Sequence, residues 1–188
     1  MPTTQPIRDP AQVAALLAHY RTQGHYRNNL LIAIGIHTAL RISDILRISS
    51  DMVYDFKNHQ IRESITIIEK KTRKSKTIAL NKHVISALKL YFPEAHQNAP
   101  LILNPNTGKA ITRMHANRIV DDAAKAVGIP FKVSCHSLRK TFGYRAWKIG
   151  VSPTLIMDIY NHNSYTATKR YLGVSQDDQN TVYNDMTF

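Results

Sequence analysis

The sequence predicts a mainly α-helical domain carrying a small antiparallel β-hairpin, an α+β fold. Three observations predict it. Apolar residues recur at helical spacing over most of the 188 residues. The period switches to two only between Asp51 and Leu80. Asp, Asn, Thr and Ser stand where helices begin, and Gly or Pro where they end. An apolar fraction of 43% suffices for one buried core at this length. Residues 1–174 read as that domain, and 175–188 as a polar, acidic tail.

Asp9-Pro10 starts the first helix, with an acid at the cap and proline at the first helical position. Val13, Leu16, Leu17 and Tyr20 follow at helical period, and Gly24 ends the run. The next helix begins near Tyr26 and carries Leu30, Leu31, Ile34 and Ile36 toward Thr38. It is apolar nearly all round, as a central helix is. Ser43 is the expected cap of a helix that buries Ile45, Leu46 and Ile48. Ile61, Ile65, Ile67 and Ile68 suggest one strand and Thr77–Leu80 its partner. Asn81 caps a helix with Val84, Leu88 and Tyr91 on one face and Pro93 beyond it. Residues 104–108, Asn-Pro-Asn-Thr-Gly, are a turn. Thr112 opens a helix bearing Ala116, Ile119, Val120 and Ala123, closed by Gly128 and Pro130. His136 to Trp147 reads as a helix with Leu138, Phe142 and Trp147 in the core, stopped by Gly150. Ser152-Pro153 starts another that buries Leu155, Ile156 and Ile159. A short helix from about Tyr165 carries Tyr171. Ser175 is a cap in the tail, whose apolar groups are Val182 and Tyr183; the tail is expected to dock on a partner subunit.

The formal net charge is +12. Beyond solubility, such an excess implies a polyanionic partner, nucleic acid or an anionic membrane surface. No apolar run reaches the roughly 18 residues of a membrane span. No apolar stretch follows the polar start MPTTQPIRDP, so no secretory leader is expected. One cysteine excludes a disulfide framework and points to a reducing compartment, the cytoplasm. Cys135 lies beside His136, but sequence neighbours diverge on a helix. A buried structural thiol is therefore favoured over a Cys/His nucleophile.

The segment Ser134–Gly173 concentrates the chemistry. His136 and Arg139 are three apart and face one direction; His162 follows, then Tyr171 between Arg170 and Leu172. Upstream, Arg41 sits in a turn before a helix, three residues from Asp44. The plain alternative there is a surface salt bridge worth about 0–1 kcal/mol. Lys70-Lys71-Thr72-Arg73-Lys74-Ser75-Lys76 makes the hairpin tip densely cationic. Such a run is either a solvated turn that deters self-association or a finger onto phosphate. A phosphodiester repels nucleophiles, so cutting it takes cations on its free oxygens and a proton for the leaving oxygen. Guanidiniums grip two oxygens at once and stay protonated. A phenol activated by cations and a histidine can attack phosphorus and store the bond as a phosphotyrosine. No Cys/His spacing marks a zinc site, and His25, His37, His59, His83, His96 and His115 have no comparable context. Spacing alone supports a basic DNA- or RNA-binding domain and leaves a phosphoryl-transfer enzyme open.

At these residues the chain resembles the catalytic domain of the tyrosine recombinases, the phage integrase family, from about Pro6 to Val174. Thr38–Asp44 looks like the family's first-arginine box; Arg41 matches the first catalytic arginine and Asp44 the acid that orients the catalytic histidine. Glu69–Lys74 resembles the lysine turn, with Lys71 the matching lysine and Lys70 and Lys74 the alternatives. His136-Ser137-Leu138-Arg139 matches the His-x-x-Arg box, His162 the next histidine and Tyr171 the nucleophile. One departure is clear: Tyr160-Asn161-His162 stands where the family usually has Leu-Gly-His, which implies altered packing with activity kept. Most members also carry an N-terminal DNA-binding domain; this sequence starts at the catalytic domain, so it matches in size the short stand-alone members and equally a piece of a longer protein.

The resemblance implies a site-specific recombinase acting on double-stranded DNA in the nucleoid, without metal or cofactor. Tyr171 would attack, Arg41, Arg139 and His162 would stabilise the transition state, His136 would assist proton transfer and Lys71 would protonate the leaving oxygen. Lys70, Arg73, Lys74, Lys76, Arg113, Arg118 and Lys140 are the cations expected on DNA. Strand exchange would take a homotetramer with tails swapped between protomers. The rivals are a type IB topoisomerase-like relaxation enzyme and a non-catalytic DNA-binding regulator.

Overall fold

The computed structural model describes residues 4–92, 97–172, 180 and 183–186. Pro93, Ser175 and Val182, named above, lie outside the described residues. Helix α1 (Pro10–Thr22) begins at Asp9, whose carboxylate accepts the Ala11 N–H at 2.8 Å. Helix α2 (Tyr26–His37) is buried without a break from Asn29 to Ile36. The Asn29 side chain is tolerated there because its amide donates to Leu17 O at 2.7 Å.

Helix α3 (Ile42–Ile45) is a single turn whose cap is Arg41, not Ser43. Arg41 is extended, and its carbonyl already accepts from Asp44 and Ile45, so Ser43 falls inside the turn. Helix α4 (Ser50–Val53), which periodicity did not suggest, leads into a short hairpin of β1 (Tyr54–Asp55) and β2 (Gln60–Ile61). Ile61 thus belongs to a different ladder from the isoleucines after it. Strands β3 (Ser64–Ile68) and β4 (Ser75–Ala79) form the expected cationic hairpin, with Ser64 opposite Ala79 and Ile68 opposite Ser75. Period two sends Ile65, Ile67 and Ile78 inward and leaves Ile68 60% exposed.

Helix α5 (Lys82–Tyr91) is capped by Asn81, which accepts from His83 and Val84. Strands β5 (Leu103–Asn104) and β6 (Lys109–Ala110) flank the predicted turn. Helix α6 (Arg113–Ala126) starts at Thr112, and α7 (Cys135–Lys148) at a reciprocal Ser134/Ser137 capping box. Helices α8 (Pro153–Tyr160) and α9 (Tyr165–Leu172) complete the chain through Leu172.

Helix α2 packs against α1, α5 and α7, which makes it the axle of the molecule. Two cores result. The larger is aliphatic, from α1, α2, α5, α6 and the β3–β4 hairpin. The smaller gathers Ala39, Ala146, Ile156, Tyr160 and Leu172 between α7, α8 and α9. Leu155, expected inside, is 51% exposed; Ile156 and Tyr160, four apart, define the buried face of α8.

Candidate active site

The C-terminal end of α8 organises the site. A helix ends in carbonyls without intrahelical donors and carries partial negative charge. Three cations from distant segments converge on that end. Arg139 Nη2 donates to Tyr160 O at 3.1 Å, and Arg41 Nη2 reaches the same oxygen at 3.4 Å. Lys76 Nζ donates to Ile159 O. Arg139 is fully buried; its Nη1 donates to Ala39 O, and its guanidinium lies 4.5 Å from the Tyr160 ring centroid. Ala39 holds φ at 57°, a left-handed conformation that costs a non-glycine residue roughly 1–2 kcal/mol. That strained residue supplies the carbonyl that Arg139 grips.

Tyr171 rises from α9 into the same space. Its ring centroid lies 5.0 Å from that of His136, 4.8 Å from His162 and 4.9 Å from Tyr160. Arg139 and Lys140 approach its ring at 5.8 Å. His162 is fixed by Nδ1, 3.0 Å from the hydroxyl of the buried Thr168. Burial, then the charges of Arg139, Arg41 and Lys71, lower the His162 pKa to about 4. His136 has an edge in solvent, yet burial against the protein, with Lys140, Arg139 and Arg41, lowers it to about 4 as well. Both imidazoles are neutral at pH 7 and able to accept a proton.

Lys71 is exposed and lines an open cleft of about 580 Å³ with Arg41, Ser43, Lys70 and Arg113. Arg73, Lys74 and Arg118 are also exposed. Two other expected DNA contacts are placed elsewhere. Lys140 is buried and donates to Thr4 O, which removes it from the outer surface. Lys76 faces inward, because it pairs with the buried Ile67 across the ladder. Burial and the neighbouring Arg139 lower its pKa to about 8, against a counter-pull from Glu69.

Asp44 does not bond His136 among the described residues. Its Oδ1 accepts the Lys70 N–H at 2.9 Å, so it pins the hairpin to α3 instead. Glu69, which spacing had not singled out, is fully buried and forms an ion pair with Arg41 at 3.2 Å. It is the one acid between Ile65 and Lys76, which was the available signal. Thr168 was missed too, although it lies one helical turn before Tyr171. The Tyr160-Asn161 departure is built in by two contacts. Tyr160 donates its hydroxyl to Arg139 O at 2.6 Å, and its ring fills space beside Gly143, where a Cβ would lie 2.9 Å from Tyr160 Cε2. Asn161 adopts φ 51°, which Asn tolerates. Cys135 is buried and its thiol is pushed up to about 12, as suits a structural residue. Among the described residues, no group of three His, Cys, Asp or Glu side chains is placed to hold a metal.

A helical domain with two arginines, two neutral histidines and a phenol around one helix end has the makings of a phosphodiester-transfer site. The chain belongs to the phage integrase family, whose pattern matches residues 8–177. It is 31% identical over 183 residues to the probable integrase/recombinase YoeC of Bacillus subtilis strain 168, covering 97% of each. It is 22% identical over 158 residues to the tyrosine recombinase XerC of Thermodesulfovibrio yellowstonii, covering 79% of this chain and 50% of that one. XerA recombinase shares the fold with a TM-score of 0.78 at 17% identity, covering 100% of this chain and 66% of that one. XerH site-specific recombinase, solved on palindromic difH substrate in a post-cleavage complex, gives 0.78 at 20% identity, covering 98% and 52%. The chain spans about half the length of XerC and XerH.

Proposed function

We propose that this chain is a site-specific recombinase that cuts and rejoins duplex DNA through a 3′-phosphotyrosine. The observation that carries the proposal is the shared carbonyl: two arginines 98 residues apart in sequence meet at Tyr160 O while Tyr171 packs on Arg139, His136 and His162. The Tyr171 oxygen attacks phosphorus and the bond to the 5′ oxygen breaks. The phenolic proton passes to His136, neutral and in ring contact with Tyr171. Arg41 and His162 hold the non-bridging oxygens, and the fully buried Arg139 joins them by exchanging one of its carbonyl partners for a phosphate oxygen; each donor is worth roughly 10²–10³ in rate by analogy with oxyanion holes. Lys71, beside Arg41 in the open cleft, protonates the leaving 5′ oxygen. Resealing runs the same steps backward, so no external energy source is consumed.

Lys70, Arg73, Lys74, Arg113 and Arg118 form the exposed cationic surface proposed to track the DNA backbone. Strand exchange is proposed to take four protomers, with the tail, residues 175–188, docked between neighbours, in the nucleoid. No described helix is long and apolar enough to cross a membrane. The test uses a pool of nicked duplexes with randomised sequence, on which a covalent adduct is trapped. Wild type traps an adduct and Tyr171→Phe does not, while both bind DNA alike. An adduct that persists in Tyr171→Phe reassigns the nucleophile. Recombinant product separates a recombinase from a topoisomerase, which only relaxes supercoils. A wild-type chain that binds DNA but traps nothing is a regulator.

A further inference from the structure

A buried carboxylate joins three segments of the site. Glu69 directly follows β3 and is wholly inaccessible to solvent. Its Oε2 accepts from Thr72 Oγ1 at 2.7 Å and from Asn161 Nδ2 at 2.9 Å, and lies 3.2 Å from Arg41 Nη1. The Arg41 contact is an ion pair without an aligned hydrogen bond at Nη1. Thr72 belongs to the hairpin turn, Arg41 caps α3, and Asn161 caps α8 one residue before His162. A charge this buried is expensive unless several donors surround it. Burial pushes the Glu69 carboxyl up, but Thr72, Asn161, Arg41 and Lys76 outweigh that and hold it below its ordinary value.

We infer that Glu69 and Asn161 form a clasp that positions Arg41 and the His162 turn for phosphoryl transfer, and that ties both to the lysine hairpin. Neither residue touches the reacting atoms; both act through Arg41 and His162. The inference rests on the recombinase reading above. It also explains what the asparagine adds. A glycine at 161 would take the same left-handed backbone but offer no donor to Glu69. The clasp is therefore a property of this pair, and the Lys76 bond to Ile159 O braces the same seam two residues before Asn161.

The experiment measures adduct formation on the randomised nicked pool, DNA affinity and thermal unfolding for Asn161→Gly, Glu69→Gln, the double variant and Asn161→Asp. Asn161→Gly keeps the backbone and removes only the amide, so folding is retained. Each single variant should slow adduct formation about tenfold or more with DNA affinity within about twofold, as for other residues that orient reacting groups. The double variant should be no slower than the worse single, because one clasp is broken once. Asn161→Asp sets two carboxylates together. Its deficit relative to wild type should shrink as pH falls from 8 to 5.5, when a shared proton restores the bond. Arg41, Lys76, Arg139 and His162 also face this pair, so the same profile is run in Lys76→Met to separate the hairpin lysine from the groups that are kept. Additive losses, losses that track only the folded fraction, or a pH-independent Asn161→Asp deficit overturn the clasp. So does adduct formation in Asn161→Gly and Glu69→Gln at the wild-type rate. A wild-type chain that traps no adduct overturns the recombinase reading itself, and the clasp's catalytic role with it.

Discussion

The two cores of this molecule are built on different terms. The larger is almost wholly aliphatic, and its contents follow from helical and strand periods. The smaller is organised around Tyr160, and polar groups run through it: the Tyr160 hydroxyl, the Arg139 guanidinium and the buried Thr168. The first answers mainly to apolar area, with the buried Asn29 amide and Tyr20 hydroxyl each satisfied by one backbone carbonyl. The second must also satisfy each buried donor and acceptor, which makes it exacting about geometry. The site sits at the seam between them, where cations from the first half of the chain reach carbonyls of the second.

The largest effects should come from the seam. Arg139→Ala should cut adduct formation by orders of magnitude and destabilise as well, since Ala39 O and Tyr160 O lose a buried donor. Adduct yield per folded molecule separates the two losses. Leu88→Ala in the aliphatic core should cost about 2–5 kcal/mol in urea unfolding, with adduct rate per folded molecule unchanged. Gly143→Ala should damage the small core by driving a Cβ into the Tyr160 ring. Gly143→Ala/Tyr160→Leu should recover most of the lost melting temperature; a double variant no more stable than the single removes the steric explanation.

A smaller effect distinguishes the cores by pH. His37, His136 and His162 are all lowered to about 4 in the folded state, against about 6.5 when unfolded. The unfolded chain therefore binds more protons below pH 6.5. Their contribution to stability is present above that value and is lost as pH falls toward 4. DNA should raise the two site histidines by placing phosphate beside them, and so flatten that part of the slope. His37, lowered by burial and by the stacked His83 ring 4.8 Å away, should keep its share. Chemical denaturation from pH 7 to 4.5, with and without duplex, reads both. Smallest of all, Lys74→Ala should weaken DNA binding slightly and reduce the slope of log affinity against log salt by about one.

Much of the larger core was legible. Asp9, Asn81 and Thr112 mark helix starts because a cap needs only its next three residues. Ser43 misled because Arg41 was already extended and capping. Lys76 was readable in principle, since it shares a strand face with Ile78; the run of lysines around it hid the parity. Lys140 gave no such sign, because its bond to Thr4 O spans 136 residues. The residues of the candidate site stood out as a pattern, but Glu69, Thr168 and Asn161 did not. Local signals existed, Glu69 as the one acid among the hairpin cations and Asn161 in place of a glycine, but the partners of all three are set by packing, so their roles were not legible.

Periodicity and capping by themselves determined a helical domain with one cationic hairpin, and it took the ordered motifs of the family resemblance to assign Arg41, His136, Arg139, His162 and Tyr171. Only the tertiary structure decided which cations turn inward and what holds them. Caps and periods depend on neighbours a few residues away, whereas the Glu69–Asn161 bond joins positions 92 residues apart. A contact across that distance exists only once the hairpin and α8 have packed against a common core.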